Sequence, residues 1–303
     1  MEMNVVKRPF RWITYGYLIY ILMALVVFPA APACLWAAEK KIEPFDHLRR
    51  NLARDGFDQR QLNHYYGRPG VAFEEETVSR YFQHQEATLN YDQFLTWTSL
   101  RKARHYLKEQ RQWLDQAAAE YQVAGEIITA ILLVETKLGT YTGRASTFNV
   151  LSSMAALADA DVRDRLWQSL SANSQMTRED FLKKAARKSQ WAYSELTAFL
   201  TYLEREHIAD PMTIRGSYAG AVGISQFMPS NILKLGVDGD RDGRIDLFTH
   251  ADAILSVANY LRHHGWKSGL SDAQARKVLF AYNHSTYYVD ILMRVLDRLR
   301  EDS

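Results

Sequence analysis

From about residue 45 onward, apolar residues recur with the spacing of an α-helix, and no stretch sustains the alternation that a sheet demands. That pattern restricts the chain to a mainly helical body. A stretch over 100–121 is rich in Lys, Arg, Gln, Glu and Ala, with Tyr106, Trp113 and Leu114 as apolar punctuation. Residues 126–138 read as a strongly apolar helix closed by Gly139, and 181–207 as a long amphipathic helix stopped by Asp210-Pro211. The spacing predicts two more helices over 252–264 and 277–299. At 303 residues there is chain enough for one large domain or two smaller ones. A composition 47% hydrophobic and 24% charged excludes a disordered tail, a collagen-like repeat and a multi-span membrane protein.

The first 38 residues stand apart. Lys7, Arg8 and Arg11 precede an apolar run from Ile13 to Phe28, and small residues follow in an A-x-A arrangement at Ala31 and Ala33. Basic head, apolar middle and small residues describe a secretory signal peptide. The run is a little short of the roughly 18 to 20 residues that span a bilayer, which favours cleavage over a retained anchor. Cys34, directly after Ala33, adds a third route: lipidation of a new N-terminal cysteine. Either cleavage leaves no cysteine for an internal disulfide, which points to a bacterial envelope and a periplasmic location. The net charge of +2 belongs to this leader: removing Lys7, Arg8, Arg11 and Glu2 from 37 basic and 35 acidic residues leaves 34 of each. Such neutrality, with no nucleic-acid-binding motif, argues against a nucleic-acid partner. The basic cluster Lys183, Lys184, Arg187 and Lys188 reads as a solvated helix face.

Three segments carry chemistry. In the apolar helix, Ile128, Ile131, Leu132 and Glu135 share one face. Glu135 thus continues an apolar stripe, where a carboxylate loses hydration, and it sits at the negative end of the helix dipole. Both effects raise its pKa, as a general acid working near neutral pH requires. The plainer alternative is a frayed helix end whose Glu reaches water. The second segment, 216–230, has glycines at 216, 220 and 223 among Ala and Ser, which permits close backbone approach to a packed helix or to a ligand. No Gly-Lys-Ser/Thr follows, so it is not a phosphate loop. Within it, Gln226 offers a donor and an acceptor to a polar ligand such as a sugar. The third is Asp238-Gly239-Asp240-Arg241-Asp242-Gly243-Arg244-Ile245-Asp246, whose alternating acids and sixth-position Gly match the first two-thirds of a calcium loop. Thr249 replaces the usual Glu at position 12, and the next acid is Asp252. A solvated acidic turn is the plain alternative. If a cation binds, calcium suits these oxygens better than magnesium, and its role is structural, bracing the loop that leads into the next helix.

Together these segments resemble the lytic murein transglycosylases of the membrane-bound B type, over roughly residues 45–299 and most clearly from Glu126 onward. Val134-Glu135-Thr136 is similar to the family's catalytic segment, and 216–230 is close to its Gly-Ser-x-Ala-Gly-Ala-x-Gly-x-x-Gln-Phe-Met-Pro-Ser signature. Val257-Ala258-Asn259-Tyr260, His264-Gly265-Trp266 and Ala281-Tyr282-Asn283-His284-Ser285 also fit. The resemblance implies cleavage of the β-1,4 bond between N-acetylmuramic acid and N-acetylglucosamine in peptidoglycan. Glu135 acts as acid and then base, a 1,6-anhydro sugar forms, and no carboxylate nucleophile takes part. It further implies a saccharide cleft lined by Ser217, Gln226, Tyr260, Tyr282 and Asn283. It also implies a structural calcium ion at the acidic loop, with Asp238, Asp240, Asp242, Arg244 and the later Asp252 as its ligand set. No cofactor is expected for the chemistry itself. The expected partners are peptidoglycan glycan strands, with membrane association through the leader or a lipidated Cys34.

The implied fold is mainly α: a lysozyme-like helical core with additional helical N-terminal and inserted regions. Many family members carry a long, partly β insertion between the His-Gly-Trp and Tyr-Asn motifs. Here only residues 267–281 intervene, so that accessory region is expected to be largely absent. The expected organisation is a leader at 1–38, an N-terminal helical region at 39–115, and a core at 116–303 with a helical insertion at about 151–212. A hydrolytic muramidase on the same core and a non-catalytic wall-binding protein are the alternatives.

Overall fold

The computed structural model describes residues 43–83, 90–171 and 176–301, and its helices follow the apolar periodicity closely. The leader, with Cys34, lies outside the described residues. Helices α1 (Asp46–Arg54), α2 (Gln59–Tyr66) and α3 (Glu75–Gln83) precede a 3₁₀ turn at Tyr91–Leu95. Then come α4 (Trp97–Glu109), α5 (Arg111–Tyr121) and α6 (Gly125–Thr136). A two-residue strand β1 (Ala145–Ser146) leads into α7 (Thr147–Ala156), α8 (Ala160–Ser171) and the 28-residue α9 (Arg178–Arg205). Strand β2 (Arg215–Gly216) is followed by α10 (Pro229–Leu235), α11 (His250–His263), α12 (Asp272–Tyr282) and α13 (Thr286–Arg300). The mainly helical fold is as expected, and the only sheet among the described residues is the β1–β2 pair.

Two expected helices are each broken in two. The stretch 100–121 turns at Gln110, where α4 gives way to α5. The stretch 277–299 is interrupted at 283–285, because Asn283 is extended and the Ser285 side chain starts a new helix by accepting the Tyr288 N–H. Apolar periodicity continues across both breaks and hides them; the second is revealed by its Ser285 cap, whereas Gln110 makes no side-chain cap bond. The basic cluster is also only partly a solvated face. Lys183 pairs with Glu179, but Lys184 Nζ donates to the Phe82 carbonyl at 2.8 Å, and Lys188 lies over the Tyr81 and Trp191 rings, so this part of α9 packs on α3.

The described residues from 43 to 301 belong to one compact unit. At its centre is α6, whose Ile127, Ile128, Ala130, Ile131, Leu132 and Leu133 are all buried. A helix apolar on every side sits inside a core, here among α4, α5, α11 and α13. Each such Ile or Leu contributes about 1.5–3 kcal/mol by burial. A second layer, α7 and α10, packs along α9. There the buried Glu195 accepts both the Ser230 N–H (2.9 Å) and its hydroxyl (2.8 Å), serving the first turn of α10, whose own N-cap, Met228, has no side chain able to do so.

The two short strands hold the helical layers in register through Ala145 opposite Gly216 and Ser146 opposite Arg215. The approach is close enough to dictate glycine. A Cβ on Gly143, which has φ +102°, would lie 2.0 Å from the Gly216 carbonyl oxygen. Gly143→Ala is therefore expected to cost about 3 kcal/mol or more in chemical denaturation, whereas Gly269→Ala, at positive φ in open space, costs about 1 kcal/mol. Equal losses at the two positions would contradict this account of the clamp.

Candidate active site

Glu135 lies in the last turn of α6, where three consecutive residues, Lys137, Leu138 and Gly139, take left-handed backbone angles and turn the chain away. The Leu138 N–H reaches back to the Leu132 carbonyl at 2.9 Å, closing the helix end. Thr136, fully buried beside Glu135, donates its hydroxyl to the Ile224 carbonyl at 2.9 Å and accepts the Gly139 N–H at 3.0 Å. This side chain ties the helix end to the glycine-rich segment, so Glu135 is held on a rigid support. Its carboxyl closes one side of a cleft of about 510 Å³.

Helix α13 completes the pair. The Tyr288 hydroxyl donates to Glu135 Oε1 at 2.7 Å, and the Ser285 cap fixes the turn from which Tyr288 projects. Burial pushes the Glu135 carboxyl up to about 7, against the Tyr288 hydrogen bond, which favours the charged form. With Oε1 engaged by the phenol, Oε2 is left to carry the acid proton. Among the described residues lining the cleft there is no second carboxylate.

The expected cleft residues meet there, with one exception. Ser217, Gln226, Tyr282 and Asn283 line the same cavity as Glu135. Ser217 Oγ accepts the Ala219 and Ala221 N–H groups at 3.2 and 3.1 Å, shaping its turn and keeping its own proton for a ligand. Gln226, at φ +52°, donates its amide to the Thr142 and Gly223 carbonyls, which leaves Oε1 as acceptor. Tyr282 donates to the Ser225 carbonyl at 2.6 Å and stands as a wall near-parallel to Tyr288. Asn283 enters because the chain breaks between α12 and α13 there. Tyr260 is the correction: it is buried behind the cleft, its hydroxyl donating to the Ala281 carbonyl at 2.6 Å and its ring 4.8 Å from that of Tyr282. It packs against the wall residue Tyr282 and does not line the cavity with Glu135.

Several cleft residues escaped the sequence reading. Tyr288 lies three residues beyond the last recognised motif; a buried phenol needs a hydrogen-bond partner, which was the only available signal. Tyr91, Gln93 and Phe94 come from the 3₁₀ turn, too short to show periodicity, Asn90 is its N-cap, and Tyr218 sits at the variable position of the glycine-rich signature.

The acidic loop lies apart from this cleft. Carboxylate oxygens of Asp238, Asp240 and Asp252 come within 4.8 Å of one another. Asp252 is 1% exposed, and its oxygens accept the Gly239 and Asp246 N–H groups. Burial, with Asp240 and Asp238 close by, pushes its carboxyl up to about 6. No ion pair joins these three to a basic side chain among the described residues, which suits a cation-binding donor set. Asp242 stands outside the group; its Oδ1 accepts the backbone N–H of Arg244, which enters the loop through its main chain. Thr249, at the twelfth loop position, caps α11 by accepting the Asp252 N–H.

Comparison with known proteins places this architecture. A family model described as "Transglycosylase SLT domain" matches residues 40–277. Membrane-bound lytic murein transglycosylase B of Escherichia coli (strain K12) is 30% identical over 176 residues, covering 58% of this chain and 41% of that protein. The match thus spans less than half of the relative's length. E. coli lytic transglycosylase Slt35 in complex with calcium superposes with a TM-score of 0.68 at 22% identity, over 86% of this chain and 94% of that one. SltB3 from Pseudomonas aeruginosa in complex with NAG-anhNAM-pentapeptide superposes with a TM-score of 0.66 at 18% identity, over 84% and 78%.

The environment of Glu135 is open to direct titration. Its labelled carboxyl carbon should titrate in NMR with a midpoint near 7, and Tyr288→Phe should move that midpoint higher, since the lost hydrogen bond favours the carboxylate. Because the folded carboxyl holds its proton above the ordinary value of 4.5, the stability it contributes is present in acid and lost as pH rises through about 7. Glu135→Gln should remove that loss. A midpoint in the ordinary carboxylate range would contradict the account.

Proposed function

The chain belongs to the transglycosylase SLT domain family, and on that premise we propose that it is a lytic transglycosylase that cleaves peptidoglycan glycan strands with Glu135 as its single acid and base. The observation that carries this reading is one protonatable carboxyl, raised to about 7 and oriented by Tyr288, in a cleft that no second described carboxylate lines. Glycosidases that use a nucleophile or a base-activated water place two carboxylates about 5 to 9.5 Å apart. A lone carboxyl suits the substrate-assisted exceptions to that rule.

The proposed reaction has two proton transfers. Glu135 protonates the glycosidic oxygen of the departing N-acetylglucosamine as its bond to C1 of N-acetylmuramic acid breaks. The substrate's own N-acetyl oxygen takes up the positive charge at C1. The Glu135 carboxylate then removes the proton of the muramoyl 6-hydroxyl, whose oxygen closes on C1 to give the 1,6-anhydro sugar. Glu135 ends protonated, ready for another cycle, and no water is consumed. The Ser217 hydroxyl, the Gln226 Oε1 and the Asn283 amide supply the polar contacts to the sugar, and Tyr282 supplies a flat wall. The related SltB3 holds an anhydro-muramoyl peptide, which supports the same product class here. The leader and the membrane-bound relative together favour action in the periplasm, at or near the membrane.

The proposal extends to a structural calcium ion held by Asp238, Asp240 and Asp252, supported by their convergence and by the calcium complex of Slt35. The ion would relieve the repulsion of these acids and pin the loop to the start of α11, with no part in the chemistry.

Two outcomes are expected. Glu135→Gln should lower release of soluble muropeptides from sacculi by about a thousandfold or more, with folding intact by circular dichroism; persistent release would remove Glu135 from its role. Calcium at about a hundredfold above its Kd should raise the melting temperature of chelator-treated protein by roughly 5 °C, and Asp252→Asn should abolish the gain. An unchanged melting curve would remove the ion.

A further inference from the structure

Beside the cleft, three aromatic rings from the glycine-rich segment, α3 and α9 lie next to one another. Tyr218 lines the cavity that holds Glu135, yet 40% of its surface is exposed, so it stands at the cavity's edge. Its ring centroid is 6.2 Å from that of Tyr81 on α3, and Tyr81 lies 6.4 Å from Trp191 on α9, with the last two rings within 15° of parallel. All three remain accessible in part. The Lys188 ammonium sits 4.8 Å from the Tyr81 centroid and 5.0 Å from that of Trp191, which fixes the two rings relative to each other across the two helices. Tyr81 and Trp191 pack in part against the core, yet each keeps an accessible portion next to Tyr218, which lines the ligand cavity. Flat, amphipathic rings suit the apolar faces of sugars while leaving their hydroxyls in water.

We propose that Tyr218, Tyr81 and Trp191 form a track that carries the glycan strand beyond the cavity, so that the protein grips long strands more tightly than short ones. This rests on the transglycosylase reading of the cleft and adds a preference for strand length. Lys188 acts as a positioning residue: it holds the rings of the track in place.

The test is binding, measured by calorimetry in the Glu135→Gln protein so that no strand is cut. The probes are a tetrasaccharide and an octasaccharide of β-1,4-linked N-acetylglucosamine. The octasaccharide is expected to bind about tenfold more tightly, the scale of one or two aromatic contacts. Trp191→Ala should bring the ratio of the two affinities close to one, and Trp191→Phe, which keeps a ring, should retain most of it. Tyr218→Ala, at an exposed position, provides a second variant that does not disturb the α3–α9 packing and should also lower the ratio. A ratio unchanged in both alanine variants would overturn the track. So would a parent protein that binds both probes equally, an outcome that leaves the cleft assignment standing. A parent that binds neither probe would overturn the cleft assignment along with the track.

Discussion

The removal of one carboxyl group from water organises this molecule. Glu135 continues the apolar stripe of α6, a helix enclosed by four neighbours, and so faces the cleft from a support that cannot hydrate it well. Charging it there is costly, and its proton is retained to about pH 7. The Tyr288 phenol partly offsets that cost and also orients the group. A freely hydrated carboxyl would be ionised at neutral pH and unable to act as the acid proposed for it.

The surrounding fold serves to keep that carboxyl in place. Thr136 ties the end of α6 to Ile224, the β1–β2 clamp sets the height of the glycine-rich segment, and the Ser285 cap sets the direction of α13. The three supports come from segments far apart in sequence, and each ends on a backbone group rather than on another flexible side chain. Such anchoring gives Ser217, Gln226, Tyr282 and Asn283 defined positions even though three of them lie outside regular helices. The hydrogen bonds that Ser217 and Gln226 make to the main chain leave one ligand-facing function on each.

Much of this was legible from residue order, and the exceptions have physical causes. Glu135 stood out because a charge in an apolar stripe violates the helical pattern, and the glycines of 216–230 announced close approach. Tyr260 was misplaced because an aromatic ring in a motif reads the same whether it forms the wall or stands behind it; the Ala281 carbonyl that takes its hydroxyl lies 21 residues away. Tyr288 and the 3₁₀ turn at Tyr91–Leu95 were missed because their roles come from tertiary packing, with Tyr288 lying 153 residues from its partner Glu135. The break between α12 and α13 was hidden by continuous apolar periodicity, although Ser285 carried the cap that caused it. Lys188 read as a solvated charge because the rings beneath it include Tyr81 from a different helix.

The central claim is that one poorly hydrated carboxyl performs both proton transfers and that no water enters the bond. Digestion of sacculi in ¹⁸O-labelled water, followed by mass spectrometry of the released muropeptides, tests it most directly. The account predicts anhydro products that contain no ¹⁸O. Reducing-end products carrying one ¹⁸O atom would contradict it and show that the cleft activates water.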